Sequence, residues 1–247
     1  MAHTSTGRLH PLTADIREIG TIFARMGFGI AYGPELEDEW HNFDALRIPA
    51  DHPARDMQDT FWTKEDPRRV PRTHTTSVSV RCLEEMAAEG KKEGRMIIPN
   101  KVFRNEATDS THEAQFYQLD GFAVGPKGEV TLAHLKGTFD RFYKEYLGPE
   151  AKVRFRPSFF AFVEPGVEMD VWYEAPGKEG RWLEVGGAGM LHPEVIKNAG
   201  LDPEEVAGFA FGGGIERLVM IKHGIPDVRA FHNGDIRFVY GFDQTLN

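Results

Sequence analysis

An arginine, two acids and an aromatic ring are spaced in this chain so that they share one sheet face. In KVFRNEATDSTHEAQFYQLDG, residues 101–121, period-two alternation puts Val102, Arg104 and Glu106 on one face of a first strand. After a polar stretch it puts Phe116, Gln118 and Asp120 on one face of a second strand. A guanidinium binds a carboxylate or a phosphate oxygen through two parallel hydrogen bonds. A phenyl ring stacks on a planar base or on a guanidinium. Arg104, Glu106 and Phe116 could therefore hold a nucleotide by its phosphate, its base amino group and its ring face. An exposed face with a cross-strand salt bridge is the alternative.

Three further stretches carry chemistry. GFAFGGGIERLVMIKHGIPD, residues 208–227, superficially resembles a dinucleotide fingerprint through Gly212 and Gly214. However, Arg217 stands where the third glycine belongs, and no acid follows at the required distance. What is left is a strand, a glycine turn and a helix with Arg217 in its first turn. A cation there opposes the helix dipole unless an anion is near, and phosphate is the natural candidate; solvent is the alternative. In RPSFFAFVEPG, residues 156–166, alternation groups Phe160, Phe162 and Glu164 on one face, as core or as a pocket wall. THTTSV, residues 73–78, offers His74, Thr75 and Thr76 to an ammonium or a carboxylate; the threonines could equally cap a helix starting near Val78.

The elements that must position these groups read as α+β with a mainly antiparallel sheet. Helical spacing runs from Leu12 to Met26, ended by Gly27, and again over Val78–Glu89, Val130–Leu147, the segment PEVIKNAG and Ile215–His223. FGIAYGPELE predicts a strand leading to a turn at Gly33-Pro34, and Trp40–Ala54 a long connection. Strands are predicted inside Met96–Val124 and at Lys152–Arg156, Ser158–Glu164, Val167–Tyr173, Trp182–Gly186 and Gly208–Phe211. No linker-like composition divides residues 1–247, so one domain is expected.

Composition narrows the function. The 247 residues are 40% hydrophobic and 11% aromatic, a globular composition with no run long enough to span a membrane, and the opening MAHTSTGRLHPLT lacks the apolar region expected of a signal peptide. Cys82, the single cysteine, rules out an intrachain disulfide and a cysteine-rich zinc site; it reads as a small buried apolar residue in a reducing cytoplasm. A formal net charge of −9 argues against a broad nucleic-acid-coating surface but leaves room for a small basic site.

Taken together, the hairpin with its arginine and the glycine-rich strand running into "GIER" resemble motifs two and three of class II aminoacyl-tRNA synthetases, and GFGIAYGPELE resembles motif one. The finer resemblance is to the alpha subunit of bacterial phenylalanyl-tRNA synthetases. It is carried by HNFDALRIPADHPARDMQDTFW, RTHT, FRNEATDSTHEAQFYQLDG, FVEPG, GGAGMLHPEV and GFAFGGGIERLVMIKHGIPDVR, in order, within a core of about residues 7–237. Two departures stand out: Thr76-Ser77 follows "THT" where the family usually has Ser-Pro, and Asp120 stands where it often has glutamate.

The resemblance implies the class II catalytic fold and ATP-dependent activation of L-phenylalanine, with transfer to the 3′ end of tRNA(Phe). Arg104 would bridge the substrate carboxylate and the α-phosphate, Glu106 would bind the adenine amino group, and Phe116 would stack on the base. His112 would lie near the β- and γ-phosphates, Arg217 would hold the γ-phosphate, and Glu164 would bind Mg2+. Trp62, His74, Thr76, Gln118 and Asp120 would surround the phenylalanine amino group. Phe160 and Phe162 would pack on its ring, and Ala210 would line the far end of the pocket. Gly186 to Gly189 and Gly212 would let backbone approach the ligand closely. It further implies a homodimer through the region around Pro34 and, in the full-length family, a beta subunit forming a heterotetramer; a further departure from the family is that this chain is expected to start near the catalytic domain, without the tRNA-contacting coiled-coil arm. Adenylate formation is then expected to outpace tRNA charging. A non-catalytic synthetase-like binding module, and an adenylate-forming relative with another amino acid or acceptor, stay open as alternatives.

Overall fold

The computed structural model describes residues 7–56, 58–174 and 179–242. The chain opens with helix α1 (Pro11–Ala24), which is followed by β1 (Gly29–Ile30), β2 (Leu36–Glu37), α2 (Glu39–Asn42), β3 (Val70–Pro71) and α3 (Thr76–Ala88). The central hairpin is β4 (Gly94–Phe103) and β5 (Gln115–Pro126), leading to α4 (Leu132–Leu147). A meander of β6 (Val153–Phe160), β7 (Val163–Tyr173) and β8 (Arg181–Leu191) precedes α5 (Pro193–Asn198). Then β9 (Val206–Gly214) runs directly into α6 (Ile215–His223), and α7 (Ile236–Tyr240) closes the described chain.

One seven-stranded sheet in the order β1-β4-β5-β9-β8-β7-β6 organises the molecule, with β2 and β3 forming a separate small ribbon. Only the two-residue β1 pairs in parallel, with β4; every other neighbour in this sheet is antiparallel. The sheet has two unlike faces. One is covered by helices: α1 presents Ile19, Ile22 and Phe23, α4 presents Phe139 and Phe142, and both meet Phe209 and Phe211 of β9 in one apolar cluster. Phe139 meets Phe211 edge to face at 4.8 Å, a favoured aromatic geometry. Truncating Phe23, fully buried there, to alanine would cost about 3–5 kcal/mol.

The start and stop signals of α1 agree with its pattern. Pro11 occupies the first turn, the His10 ring accepts the Leu12 N–H at 3.3 Å, and Gly27 leaves the helix at φ +82°. α4 starts two residues later than its periodicity predicts, because Thr131 and His134 form a reciprocal cap.

The opposite face is the functional one. Register places Asp120 opposite Gly212, Gln118 opposite Gly214 and Phe122 opposite Ala210, while Gly187 of β8 lies opposite Gly212. Directly opposed residues project to the same face. Glycine therefore occupies neighbouring positions on β8 and β9, opening a trough beside the side chains of β5.

Several predicted boundaries move. Ser158–Glu164 is not a strand of its own: β6 runs unbroken from Val153 to Phe160, and the chain reverses at Ala161-Phe162. Pro157 does not break β6, because β6 is the sheet's outermost strand, where a missing N–H costs no ladder bond. The connection 40–54 contains α2 and two 3-10 turns, Asp44–Leu46 and Pro53–Arg55. β8 and β9 run further through their glycines than composition suggests, because strands on both sides supply their hydrogen bonds. Among the described residues no helix is long and apolar enough to cross a membrane.

Candidate functional site

The hairpin's arginine sits one residue beyond its strand. β4 ends at Phe103, yet the Arg104 N–H still donates to the Ala114 carbonyl at 3.0 Å, so alternation with Val102 is kept. The next amide, that of Asn105, donates to Asp59 instead, which pulls the chain off the ladder. Glu106 therefore lies in the loop and is exposed, rather than on a strand face. The Arg104 guanidinium lies 5.0 Å from the centre of the Phe116 ring, and its Nε donates to the Thr73 carbonyl at 3.1 Å. Burial lowers its pKa from the usual arginine value, against the opposing pull of Glu106 and Asp120. Arg104 thus faces acids of both halves of the site.

A cleft of about 350 Å³ opens in front of this hairpin, lined among others by Arg104, Glu106, His112, Phe116, Gly214 and Arg217. Gly214 is the N-cap of α6 and supplies no capping side chain, so the helix's first amides face the cleft without a built-in acceptor. Arg217 stands exposed in this first turn and, among the described residues, has no ion-pair partner. Both features suit an anion. His112 belongs to a turn fixed by Asp109, whose carboxylate accepts the Thr111 and His112 amides and contacts the His112 ring at 3.0 Å. These bonds, the His112 ring first, hold Asp109 well below the usual carboxylate range.

Sequence reasoning missed two acids here. Glu184 lines the cleft and supplies a carboxylate beside the anion-binding groups. Glu216 is buried at 3% exposure, and its two oxygens accept the Tyr117 amide at 2.8 and 2.9 Å. That bond ties the start of α6 to β5 and so aims Arg217 at the cleft. The acid at the second helical position was the available signal, because an unpaired carboxylate is rarely buried.

Beside the cleft lies a buried cluster of polar side chains. Thr76 donates to Asp120 Oδ2 at 2.5 Å from the first turn of α3. Burial pushes the Asp120 carboxyl up to about 6, even though Thr76, Thr75, Arg104 and Gln118 draw it the other way. Thr75 and Gln118 approach this carboxylate, yet Oδ1 has no partner in bonding geometry. His74 Nε2 lies 2.9 Å from the Asn42 carbonyl, which makes Nε2 the protonated nitrogen and Nδ1 an acceptor. Burial, then Arg104, lowers its pKa to about 4, so the ring is neutral at physiological pH. Six buried side-chain polar atoms lack a partner among the described residues, and four of them are His74 Nδ1, Thr75 Oγ1, Gln118 Oε1 and Asp120 Oδ1. Leaving buried acceptors unpaired costs about 1–3 kcal/mol each, so their concentration in the segment leading into α3 and on β5 calls for a donor-rich ligand.

The apolar wall stands over the glycine trough. The rings of Phe160 and Phe162 lie 5.9 Å apart, one at the end of β6 and the other in the reversal, not on one strand face. A Cβ on Gly187 would fall 2.5 Å from the Phe160 ring, and one on Gly212 would fall 2.3 Å from Asp120 Oδ1. The glycines here accommodate the protein's own side chains; a Cβ on Gly186 would likewise meet the Gly212 carbonyl. Ala210, 3% exposed, packs in the same cluster as Phe122, Phe160 and Phe162.

Two expected residues lie apart from these contacts. The Trp62 ring is held between Phe43, 5.9 Å away, and the Arg68 guanidinium, 4.4 Å away, and its indole N–H donates to Arg55. Glu164 is exposed and lies 3.8 Å from His192 Nε2, outside the cleft that holds Arg104 and Arg217. Cys82 is half-buried on α3, and burial, then Glu85, pushes its thiol up to about 11, which leaves no thiolate at neutral pH.

A family profile described as "tRNA synthetases class II core domain (F)" matches residues 1–242. The chain belongs to this class II synthetase family. Among its relatives is the phenylalanine–tRNA ligase alpha subunit of Syntrophomonas wolfei, 48% identical over 243 residues, which are 96% of this chain and 69% of that protein. The corresponding subunit of Yersinia pestis is 46% identical over 236 residues, covering 96% and 68%. The pyrrolysyl-tRNA synthetase of Desulfitobacterium hafniense has the same fold, with a TM-score of 0.69 at 18% identity over 90% of this chain and 73% of that one. The expected class II fold is therefore present. The β4–β5 hairpin and the β9–α6 junction, read above as synthetase motifs two and three, meet at the cleft.

Proposed function

We propose that this chain activates L-phenylalanine with ATP and passes the phenylalanyl group to the 3′ end of tRNA(Phe). One observation carries the reading. Three buried, unpaired acceptors (His74 Nδ1, Gln118 Oε1 and Asp120 Oδ1) lie just before α3 and on β5, near an aromatic wall and beside a cleft with two arginines. A substrate ammonium brings three N–H donors to those acceptors. The side-chain ring then packs near Phe160 and Phe162, with Ala210 at the far end. The substrate carboxylate is left facing Arg104.

In the first step a carboxylate oxygen attacks the α-phosphorus in line, the bond from the α-phosphorus to the α,β-bridging oxygen breaks, and inorganic pyrophosphate leaves. No side chain is needed as nucleophile or base. Arg104 neutralises charge where the two substrates meet, Arg217 and the open end of α6 hold the terminal phosphates, and Phe116 and Glu106 take the adenine. His112 lines the phosphate end. Positioning and charge neutralisation in a partly dry cleft account for the rate. Mg2+ would add charge neutralisation at the phosphates, and Glu184, one of the carboxylates lining the cleft, would hold it. Glu164 would bind an ion only away from this cleft, beside His192. Trp62 would border the amino-group pocket through its ring, since its N–H is already used.

The exposed Ile30 and Tyr32 next to Pro34 lie along the sheet's β1 edge, and we assign this edge to subunit contact, either a second copy or a beta subunit. We place the activity in the cytoplasm. Amino-acid-dependent exchange of pyrophosphate into ATP tests the proposal. Exchange that depends on phenylalanine supports it. Exchange with another amino acid points to a different substrate, and binding without any exchange points to a non-catalytic module.

A further inference from the structure

The nucleotide cleft continues past Arg217 into a second chamber of about 440 Å³ that no step above uses. Thr111 and Arg217 line both cavities, so the chamber adjoins the phosphate end of the cleft. Its other walls include Tyr173, Glu179, Arg181 and Ile221. Arg181 is exposed at the first position of β8, opposite Tyr173, and among the described residues it has no ion-pair partner, like Arg217. Unpaired cations are usual on open surface, but two facing one concave chamber make a local positive potential.

The two cavities differ in charge. The cleft sets Arg104 and Arg217 against the four carboxylates of Glu106, Glu113, Glu184 and Glu216. Among the described residues, the chamber sets Arg181 and Arg217 against Glu179 alone. Once the bond to the α-phosphate is broken, a free polyanion is repelled by the acids of the cleft and attracted by the chamber, with Arg217 common to both. We propose that the chamber is an exit subsite for inorganic pyrophosphate, with Arg181 as its second cation, also used for entry in the reverse reaction.

This inference rests on the proposed function, and its test keeps the two separable. The pyrophosphate concentration giving half-maximal phenylalanine-dependent exchange is measured for the wild type, Arg181→Ala and Arg181→Lys. Loss of one charge-assisted contact should raise it about tenfold in Arg181→Ala, with the KM for phenylalanine unmoved and with lysine restoring most of the loss. An unchanged pyrophosphate dependence overturns the inference. So does an Arg181→Ala defect confined to the KM for tRNA, which would make the chamber a contact for nucleic-acid phosphate. If the wild type shows no exchange, the proposed function fails instead, and calorimetric titration with pyrophosphate alone decides the subsite: weaker binding by Arg181→Ala supports it, and equal binding overturns it.

Discussion

The two halves of the site solve opposite electrostatic problems. The phosphate cleft is open, and its cations, Arg104 and Arg217, are held ready by a backbone carbonyl and by the Glu216 anchor. The polar cluster beside it, proposed above to take the amino group, is closed off, and its acid, Asp120, is 1% exposed with one oxygen unpaired. Burial drives Asp120 up to about 6 and His74 down to about 4, towards the neutral forms of both. On the proposed reading, polyanionic ATP is met partly by exposed charge that water already solvates, that of Arg217. A small ammonium must be selected by acceptors that are costly to keep without it. The first half should therefore govern rate, and the second affinity and stability.

The largest expected effect is on the open side. Arg104→Ala removes a contact that strengthens as charge develops between carboxylate and α-phosphate, worth about 2–4 kcal/mol or roughly two to three orders of magnitude in adenylate formation. Among the described residues its guanidinium hydrogen-bonds the Thr73 carbonyl and otherwise rests on the Phe116 ring, so the protein should still fold. Pre-steady-state adenylate formation, with circular dichroism as the control, checks both parts. Near-normal rates in a folded variant would remove Arg104 from the chemistry and end the division of labour.

Asp120→Asn sharpens the other side. Losing a charged acceptor for the ammonium should raise the KM for phenylalanine roughly 10- to 100-fold, with a smaller change in kcat. The wild type should show a pH signature that the variant lacks. In the free protein Asp120 takes up a proton as pH falls through about 6, so the KM for phenylalanine should climb below that pH. Stability runs the other way. The folded-state pKa lies above the ordinary value of 3.8, so between the two the folded form binds the proton more readily than the unfolded one. This group's contribution therefore falls as pH rises through that window, and Asp120→Asn should be at least as stable as wild type at pH 7. A KM flat from pH 5 to 8 would show that the carboxylate does not meet the ammonium.

Gly212→Ala tests whether the trough serves the protein's own acid. Its Cβ would stand 2.3 Å from Asp120 Oδ1 and 3.2 Å from Gln118 Nε2, so both side chains must shift. Overpacking of this kind costs about 1–3 kcal/mol, readable as a lower denaturation midpoint, with a raised KM for phenylalanine. Wild-type stability and KM together would mean that β9 yields at no cost.

The legibility of these features follows from how local their causes are. Arg104, Phe116, Gln118 and Asp120 could be read from period-two alternation because a hairpin keeps its pattern along ten paired positions. Glu106 could not, because the amide of Asn105 leaves the ladder for Asp59, a contact 46 residues back in the chain. Alternation groups Phe160, Phe162 and Glu164 on one strand face; instead the reversal at Ala161-Phe162 brings the two rings together and leaves Glu164 exposed on β7. Glu184 and Arg181 carry no pattern of their own, since only the fold of β8 against β9 and α6 sets them around the nucleotide cleft and its adjoining chamber. The helix-covered face was legible almost throughout because burial repeats every turn along α1 and α4.

The smallest effect is expected at the far end of the closed pocket. Ala210 lies opposite Phe122 on β5 and Gly189 on β8, and it is 3% exposed beside Phe160 and Phe162. Ala210→Gly removes one methyl from this wall. The normal substrate should lose only about 0.8 kcal/mol of apolar contact, roughly a fourfold change in KM. The vacated space lies where a para substituent would project, so para-chlorophenylalanine should gain relative to phenylalanine. Tyrosine should gain much less, because no partnerless polar atom is found on Ala210, Phe122, Phe160 or Phe162, and burying an unpaired hydroxyl costs roughly 1–3 kcal/mol. The ratio of kcat/KM values for the three amino acids measures this directly. Equal gains for tyrosine and para-chlorophenylalanine would mean that water reaches this end of the pocket, and that the closed half of the site is less dry than its buried acid requires.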